Sequence, residues 1–252
     1  MIANVYLFLF PLGILIYFSY FCFRKSKNSA MSKEWIWRRL NSLGYGVQSP
    51  NDFFFVQHVL HEKFPYYGYA CLEQISQKSD ACLPCYSDAI NKLLFRVANH
   101  VHPDVIVEVG AGTSIFAMAT ACLSAQCVAI TSLNPCDVRL KSLLVEYPHV
   151  KLRNSDEKVV LQQILSGSGS VGILHVAHTA HYQEVVSAAL PYVNDRTLFI
   201  IEGIRDSKEK CDWWKSLQQG DLTGVSYDLG SVGFLFFDST RHKETYWINF
   251  RD

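Results

Sequence analysis

Residues 105–114 read Val105-Ile106-Val107-Glu108-Val109-Gly110-Ala111-Gly112-Thr113-Ser114. Val105 to Val109 is a β-branched run interrupted by one acid, the composition of a buried parallel strand. Gly110 and Gly112 break the run, and Ser114 opens a helical stretch through Ala125. In an open α/β sheet the ligand lies outside the carboxyl ends of the strands, at the switch point. Glycines there let the backbone approach a ligand closely. Exposed N–H groups at the following helix start attract its polar parts. An acid ending the strand accepts a hydrogen bond from a ligand ammonium or hydroxyl. Dinucleotide-binding turns share the Gly-x-Gly element, but here the third glycine of Gly-x-Gly-x-x-Gly falls at Ile115.

Downstream, short apolar runs alternate with helical stretches. Val128–Ser132, Val150–Leu152, Gly172–Val176 and Leu198–Glu202 read as strands. Pro135–Glu146, Glu157–Leu165, Tyr182–Leu190 and Ser207–Gln218 read as helices, with Asn134-Pro135 a good helix start. Regular alternation implies a parallel sheet with helices on both faces. Val225–Leu229, Val232–Phe237 and Tyr246–Phe250 have no helix between them and read as antiparallel strands at one edge. Ser166-Gly167-Ser168-Gly169-Ser170 reads as a flexible surface loop.

Upstream, residues 31–100 read as a helical segment. Ser32 is placed to cap a helix through Leu43, and Asn51 or Asp52 one through Leu60. Ser87 is placed to cap a third, with Ile90, Leu93, Leu94 and Val97 on one face. Ile2 to Phe23 carries no charge and, as a helix, spans about 33 Å, enough for a bilayer core. Arg24, Lys25 and Lys27 follow, and no Lys or Arg precedes. The expectation is a single membrane anchor over residues 1–30 with the body in the cytoplasm. Residues 31–100 then form a helical cap and residues 101–252 the α/β domain. Met31 would equally make the start of a wholly cytoplasmic protein.

The 252 residues carry 23 basic and 23 acidic side chains. Zero net charge argues against a general nucleic-acid partner. Eight cysteines in a chain this long do not make a disulfide scaffold. Cys82-Leu83-Pro84-Cys85 lacks the second pair that a zinc site needs, so it reads as two structural thiols.

Glu108-x-Gly110-x-Gly112 with this strand–helix order resembles class I S-adenosylmethionine-dependent methyltransferases. A bacterial branch of that family is similar over most of the chain, from about Met31 to the end. Tyr45-Gly46-Val47-Gln48-Ser49-Pro50-Asn51 is similar to its His-x-Val-His-Ser-Pro-Phe stretch. Asn91-Lys92-Leu93-Leu94-Phe95-Arg96 matches its Lys-x-Leu-Leu-Phe-Arg run, and Tyr246-Trp247-Ile248-Asn249-Phe250-Arg251 its last strand.

The resemblance implies a Rossmann-like methyltransferase fold that binds S-adenosylmethionine. It implies Glu108, Gly110, Ala111 and Gly112 at the cofactor, with Ser132 and Asn134 near its ribose. The family's ribose acid is absent from Ile130-Thr131-Ser132-Leu133-Asn134. Leu174-His175-Val176-Ala177-His178 stands for Ile-Asp-Gly-Asn-His, so an Asp has become His175. Ile201-Glu202-Gly203-Ile204 stands for Phe-Asp-Asp-Ile and keeps one acid. His178 and Glu202 are then the expected catalytic pair on the acceptor side, with His178 as general base. His175, His178 and His181 invite a metal reading. The loss of the Asp argues against the oxygen-ligated cation that related O-methyltransferases hold. No metal is expected.

Two function classes follow. One is methyl transfer to a small-molecule or otherwise unidentified acceptor. The other is a catalytically inactive methyltransferase-like binding or scaffold protein at the membrane, because three family acids are missing around one cleft.

Overall fold

The computed structural model describes residues 33–79, 87–110, 114–131, 138–154 and 156–250. The chain divides into two compact units, Met1–Ile36 and Trp37–Asp252. The second carries the sheet. Among the described residues no helix is long and apolar enough to cross a membrane. The apolar stretch from Ile2 to Phe23, Cys82 and Cys85 lie outside them.

Eight strands form one sheet. They are β1 (Val105–Val109), β2 (Gln126–Ile130), β3 (Val150–Arg153), β4 (Ile173–Val176), β5 (Leu198–Glu202), β6 (Val225–Asp228), β7 (Val232–Phe236) and β8 (Glu244–Trp247). Their order is β3-β2-β1-β4-β5-β7-β6-β8. β1 to β5 are parallel, as the alternating pattern predicts. Order reverses between β1 and β4, which is the switch point.

The far edge has the expected antiparallel ending, with one difference in β8. β7 alone runs against its neighbours, antiparallel to both β5 and β6, whereas β8 is parallel to β6. β7 leaves β6 through a turn at Gly230, whose φ is 99°. The chain after β7 passes the start of β6, so β8 returns in the direction of β6.

The alternation of side chains along each strand builds two cores. Ile106, Ala129, Ile173, Ile200 and Phe234 share one face with Leu93, Leu94 and Phe95 from the helix Asp88–Val101 and with Phe116 from Ser114–Ala121. Val107, Val109, Leu174, Val176 and Phe199 share the other with Leu161, Val186 and Trp214. Each fully buried side chain of this size contributes roughly 1.5–3 kcal/mol. Trp214, Phe234 and Phe237 are core.

Helices are numbered in chain order: α1 (Lys33–Ser42), α2 (Pro50–Phe55), α3 (Tyr69–Ser79), α4 (Asp88–Val101), α5 (Ser114–Ala121), α6 (Val138–Glu146), α7 (Glu157–Ser168), α8 (Tyr182–Ala189) and α9 (Lys208–Gln219). α2 continues as one π-helical turn over Val56–Leu60. Its cap is Ser49, whose hydroxyl accepts from the Asp52 N–H at 3.3 Å, with Pro50 in the first turn. Asn51 and Asp52 were the expected caps; Asp52 instead turns inward. Ser87 caps α4 as predicted, accepting from the Ile90 N–H at 3.3 Å. The predicted Ser166–Ser170 loop is corrected too. α7 runs on through Ser168, whose hydroxyl donates to the Ile164 carbonyl at 2.9 Å, and ends at Gly169 with φ 75°. Glycine in this left-handed position terminates the helix.

Candidate active site

Glu108 and His175 are register partners across the switch point. His175 pairs in turn with Ile200, which places Glu202 on the same face two residues further along β5. Three polar side chains therefore converge at the carboxyl ends of adjacent strands. Their accessibilities are 0% for Glu108, 0% for His175 and 3% for Glu202.

The imidazole is held at both nitrogens. Nδ1 lies 2.9 Å from Glu108 Oε2, and Nε2 lies 2.8 Å from Glu202 Oε1. Both partners are carboxylate oxygens, so both nitrogens act as donors and the ring is an imidazolium. Burial opposes that charge. The two carboxylates outweigh it, Glu202 foremost, and raise the His175 pKa to about 10. Ser114 Oγ donates to the same Glu108 Oε2 at 2.5 Å from the first turn of α5. Glu108 Oε1 is buried and has no partner among the described residues. A buried carboxylate oxygen without a donor is costly, and such atoms ask for an explanation.

Glu202 has a second contact. Its Oε2 lies 3.5 Å from His178 Nε2, and 62% of the His178 side chain is exposed. His178 Nδ1 is 3.8 Å from Asp206 Oδ2. Gly203, with φ 63°, makes the turn that brings Asp206 there: a Cβ at 203 would collide with Asp206 Oδ2. His181 bonds Glu184 at 3.0 Å. The three histidines thus have different surroundings. Among the described residues no group of three His, Cys, Asp or Glu side chains has the geometry to hold a metal ion.

Sequence reasoning placed Glu108, Gly110, His178 and Glu202 here, and the structure brings all four to this end of the sheet. Gly110 has φ 124°, and a Cβ there would stand 3.0 Å from Ala177 Cβ, so the turns after β1 and β4 touch. Ala111, Gly112, Ser132 and Asn134 lie outside the described residues. Three participants were missed. His175 read as a lost acid or as one of three candidate metal ligands, not as a partner of the two glutamates. Ser114 read as a helix start. Lys210, on α9, drew no sequence reading; it is buried, stacks over Tyr182 at 4.8 Å, and its pKa is lowered by burial against the pull of Asp206 and Glu202. A cavity of about 790 Å³, lined by His102, Asp104, Gly172 and Arg196 among others, lies at the opposite, amino end of the strands.

Solved structures with the same architecture can now be set beside this one. The O-methyltransferase from Bacillus cereus in complex with SAH shares 15% identity, over 71% of this chain and 96% of that one, at a TM-score of 0.55. The fold is that of class I S-adenosylmethionine-dependent methyltransferases. A putative O-methyltransferase from Klebsiella pneumoniae has a TM-score of 0.56 at 13% identity, over 73% of this chain and 96% of that one. TomG, an O-methyltransferase from Streptomyces achromogenes in complex with SAM, has a TM-score of 0.52 at 15% identity, over 83% of this chain and all of that one. No protein-family model matches the chain, and no curated protein matches it in sequence. The methyltransferase fold puts the carboxyl ends of β1, β4 and β5, where the Glu108–His175–Glu202 row stands, in the position where open α/β sheets bind ligands.

Proposed function

We propose that the chain binds S-adenosylmethionine and transfers its methyl group to a small-molecule acceptor. Glu108 Oε1 carries this reading: it is a buried acceptor without a donor among the described residues, at the switch point, beside a glycine turn. A ligand ammonium supplies that donor, and a hydrogen bond to a charged group contributes roughly 1.5–3 kcal/mol. The residues present fit the amino-acid end of S-adenosylmethionine in charge and in place. Gly110, Ala111 and Gly112 would line the cofactor's path, with Ser132 and Asn134 near the ribose. Bound there, the cofactor supplies an electrophilic methyl on a sulfonium centre.

The chain's own residues do the rest. His178, exposed at the end of β4, takes the proton from the acceptor O–H or N–H. Glu202 Oε2, 3.5 Å from His178 Nε2, stabilises the imidazolium that forms. Alignment of acceptor and methyl in line supplies most of the acceleration. We further propose that the apolar segment Ile2–Phe23 inserts in a membrane and keeps this domain on the cytoplasmic side.

A second reading keeps the fold without catalysis. The missing acid after β2 and the engagement of both glutamates by His175 favour it. Calorimetric titration of S-adenosylmethionine into the full chain, followed by transfer of labelled methyl to a panel of phenols and amines, separates the two. Micromolar binding with transfer that falls roughly a hundredfold in His178→Ala is expected for the enzyme. Absence of binding at millimolar ligand rules it out.

A further inference from the structure

Glu108 and Glu202 end strands on either side of β4 and face the same side of the sheet. Two buried carboxylates on one face repel each other and are costly to desolvate. Proteins usually resolve such a pair with a bound cation or a long basic side chain. Here a single imidazole fills the gap, 2.9 Å from one carboxylate and 2.8 Å from the other, and excludes solvent completely.

We infer that His175 is a built-in counter-cation that holds Glu108 and Glu202 in place without a metal ion, and so ties the ligand end of the site to the acceptor end. What the two ends do rests on the methyl-transfer reading; the charge arrangement does not. His175 is a positioning residue in this account, since it reaches the reacting groups only through the glutamates. Glu108 carries the oxygen without a donor among the described residues, and Glu202 Oε2 lies 3.5 Å from His178 Nε2. Around the ring stand Glu108 and Ser114 on one side and Glu202 on the other. Cys127 lies beyond Glu108, and His178 and Lys210 beyond Glu202. The nearest full charges on the ring are thus both negative, and they keep the proton on it.

Two measurements on the full chain without any cofactor test this. In the first, nitrogen NMR of ¹⁵N-histidine-labelled protein follows the ring of His175, assigned by its loss in His175→Asn. Both ring nitrogens are expected at imidazolium positions at pH 7.5 and still at pH 9. A neutral ring at pH 7.5 overturns the proposal. In the second, His175→Asp replaces the cation with a third carboxylate. This variant is expected to gain roughly 5 °C or more in unfolding temperature from 1 mM MnCl₂ or CaCl₂, while the unchanged chain shows no gain. A variant indifferent to the ions, or an unchanged chain that responds equally, overturns the proposal. If His175→Asp does not accumulate, the NMR result on the unchanged chain decides. Neither readout involves S-adenosylmethionine, so a chain that binds no cofactor can still show the cation.

Discussion

The two carboxylate oxygens of Glu108 have different surroundings. Oε2 receives Ser114 and His175, while Oε1 receives no donor among the described residues. Ser114→Ala removes one of two donors and leaves the stronger. It is expected to cost about 1–2 kcal/mol in urea unfolding and to change S-adenosylmethionine affinity less than threefold. Gly110→Ala should do worse on both counts. Its φ of 124° suits no side chain, and the new methyl would press on Ala177; a loss of about 2 kcal/mol is expected in the same assay. Glu108 was legible in the sequence because a lone acid ended an apolar run before a glycine turn. His175 was not. Its partners lie 67 and 27 residues away, so the substitution of an acid by an imidazole looked like a loss. Only the sheet register shows that it answers two acids at once.

At the level of elements, one buried charge pins the cap to the sheet and a second ties the cap's own elements together. Asp52, 2% exposed on α2, accepts from Tyr227 Oη at 2.7 Å and Tyr246 Oη at 3.3 Å and pairs with Arg241. Arg96, on α4, donates to the Val59 and Leu60 carbonyls at 2.6 and 3.1 Å and to Tyr69 Oη at 3.0 Å. It satisfies the carbonyls at the end of the π-helical turn. Asp52→Asn leaves Arg241 without its anion, and a stability loss of about 3 kcal/mol is expected by chemical denaturation. A double variant with Arg241→Met should recover part of it. The helices themselves could be read from periodicity and caps, as α4 was from Ser87 and its apolar face. The Lys-x-Leu-Leu-Phe-Arg run was visible as a resemblance, but its purpose was not, because Arg96 acts on carbonyls about 36 residues back. Likewise α7 outran its predicted end: serine and glycine usually signal a loop, yet Ser168 bonds its own helix.

For the molecule as a whole, three histidines set the expected response to pH. The raised pKa of His175 adds stability that is complete below about pH 6.5 and is lost as pH climbs through about 10. His61 and His100 are lowered, first by burial and then by Arg96 and by His102 respectively, so their contribution disappears as pH falls below their ordinary range. Stability should therefore peak near pH 6.5–7 and decline on both sides. In His175→Asn the alkaline decline should flatten, which urea unfolding from pH 5 to 10 will show. The parallel core, its two faces and its ligand-binding end were all legible from alternation. The parallel pairing of β8 with β6 was not, because strand direction there depends on a connection that carries no sequence signal of its own. The central claim is that Glu108 reads the ammonium of S-adenosylmethionine, and calorimetry on the full chain and Glu108→Gln tests it with two ligands. One is S-adenosylhomocysteine; the other is methylthioadenosine, which lacks the amino-acid end. The variant is expected to bind S-adenosylhomocysteine at least about tenfold more weakly while its affinity for methylthioadenosine stays within about twofold. Equal weakening of both ligands, or no binding of either to the unchanged chain, would contradict the account.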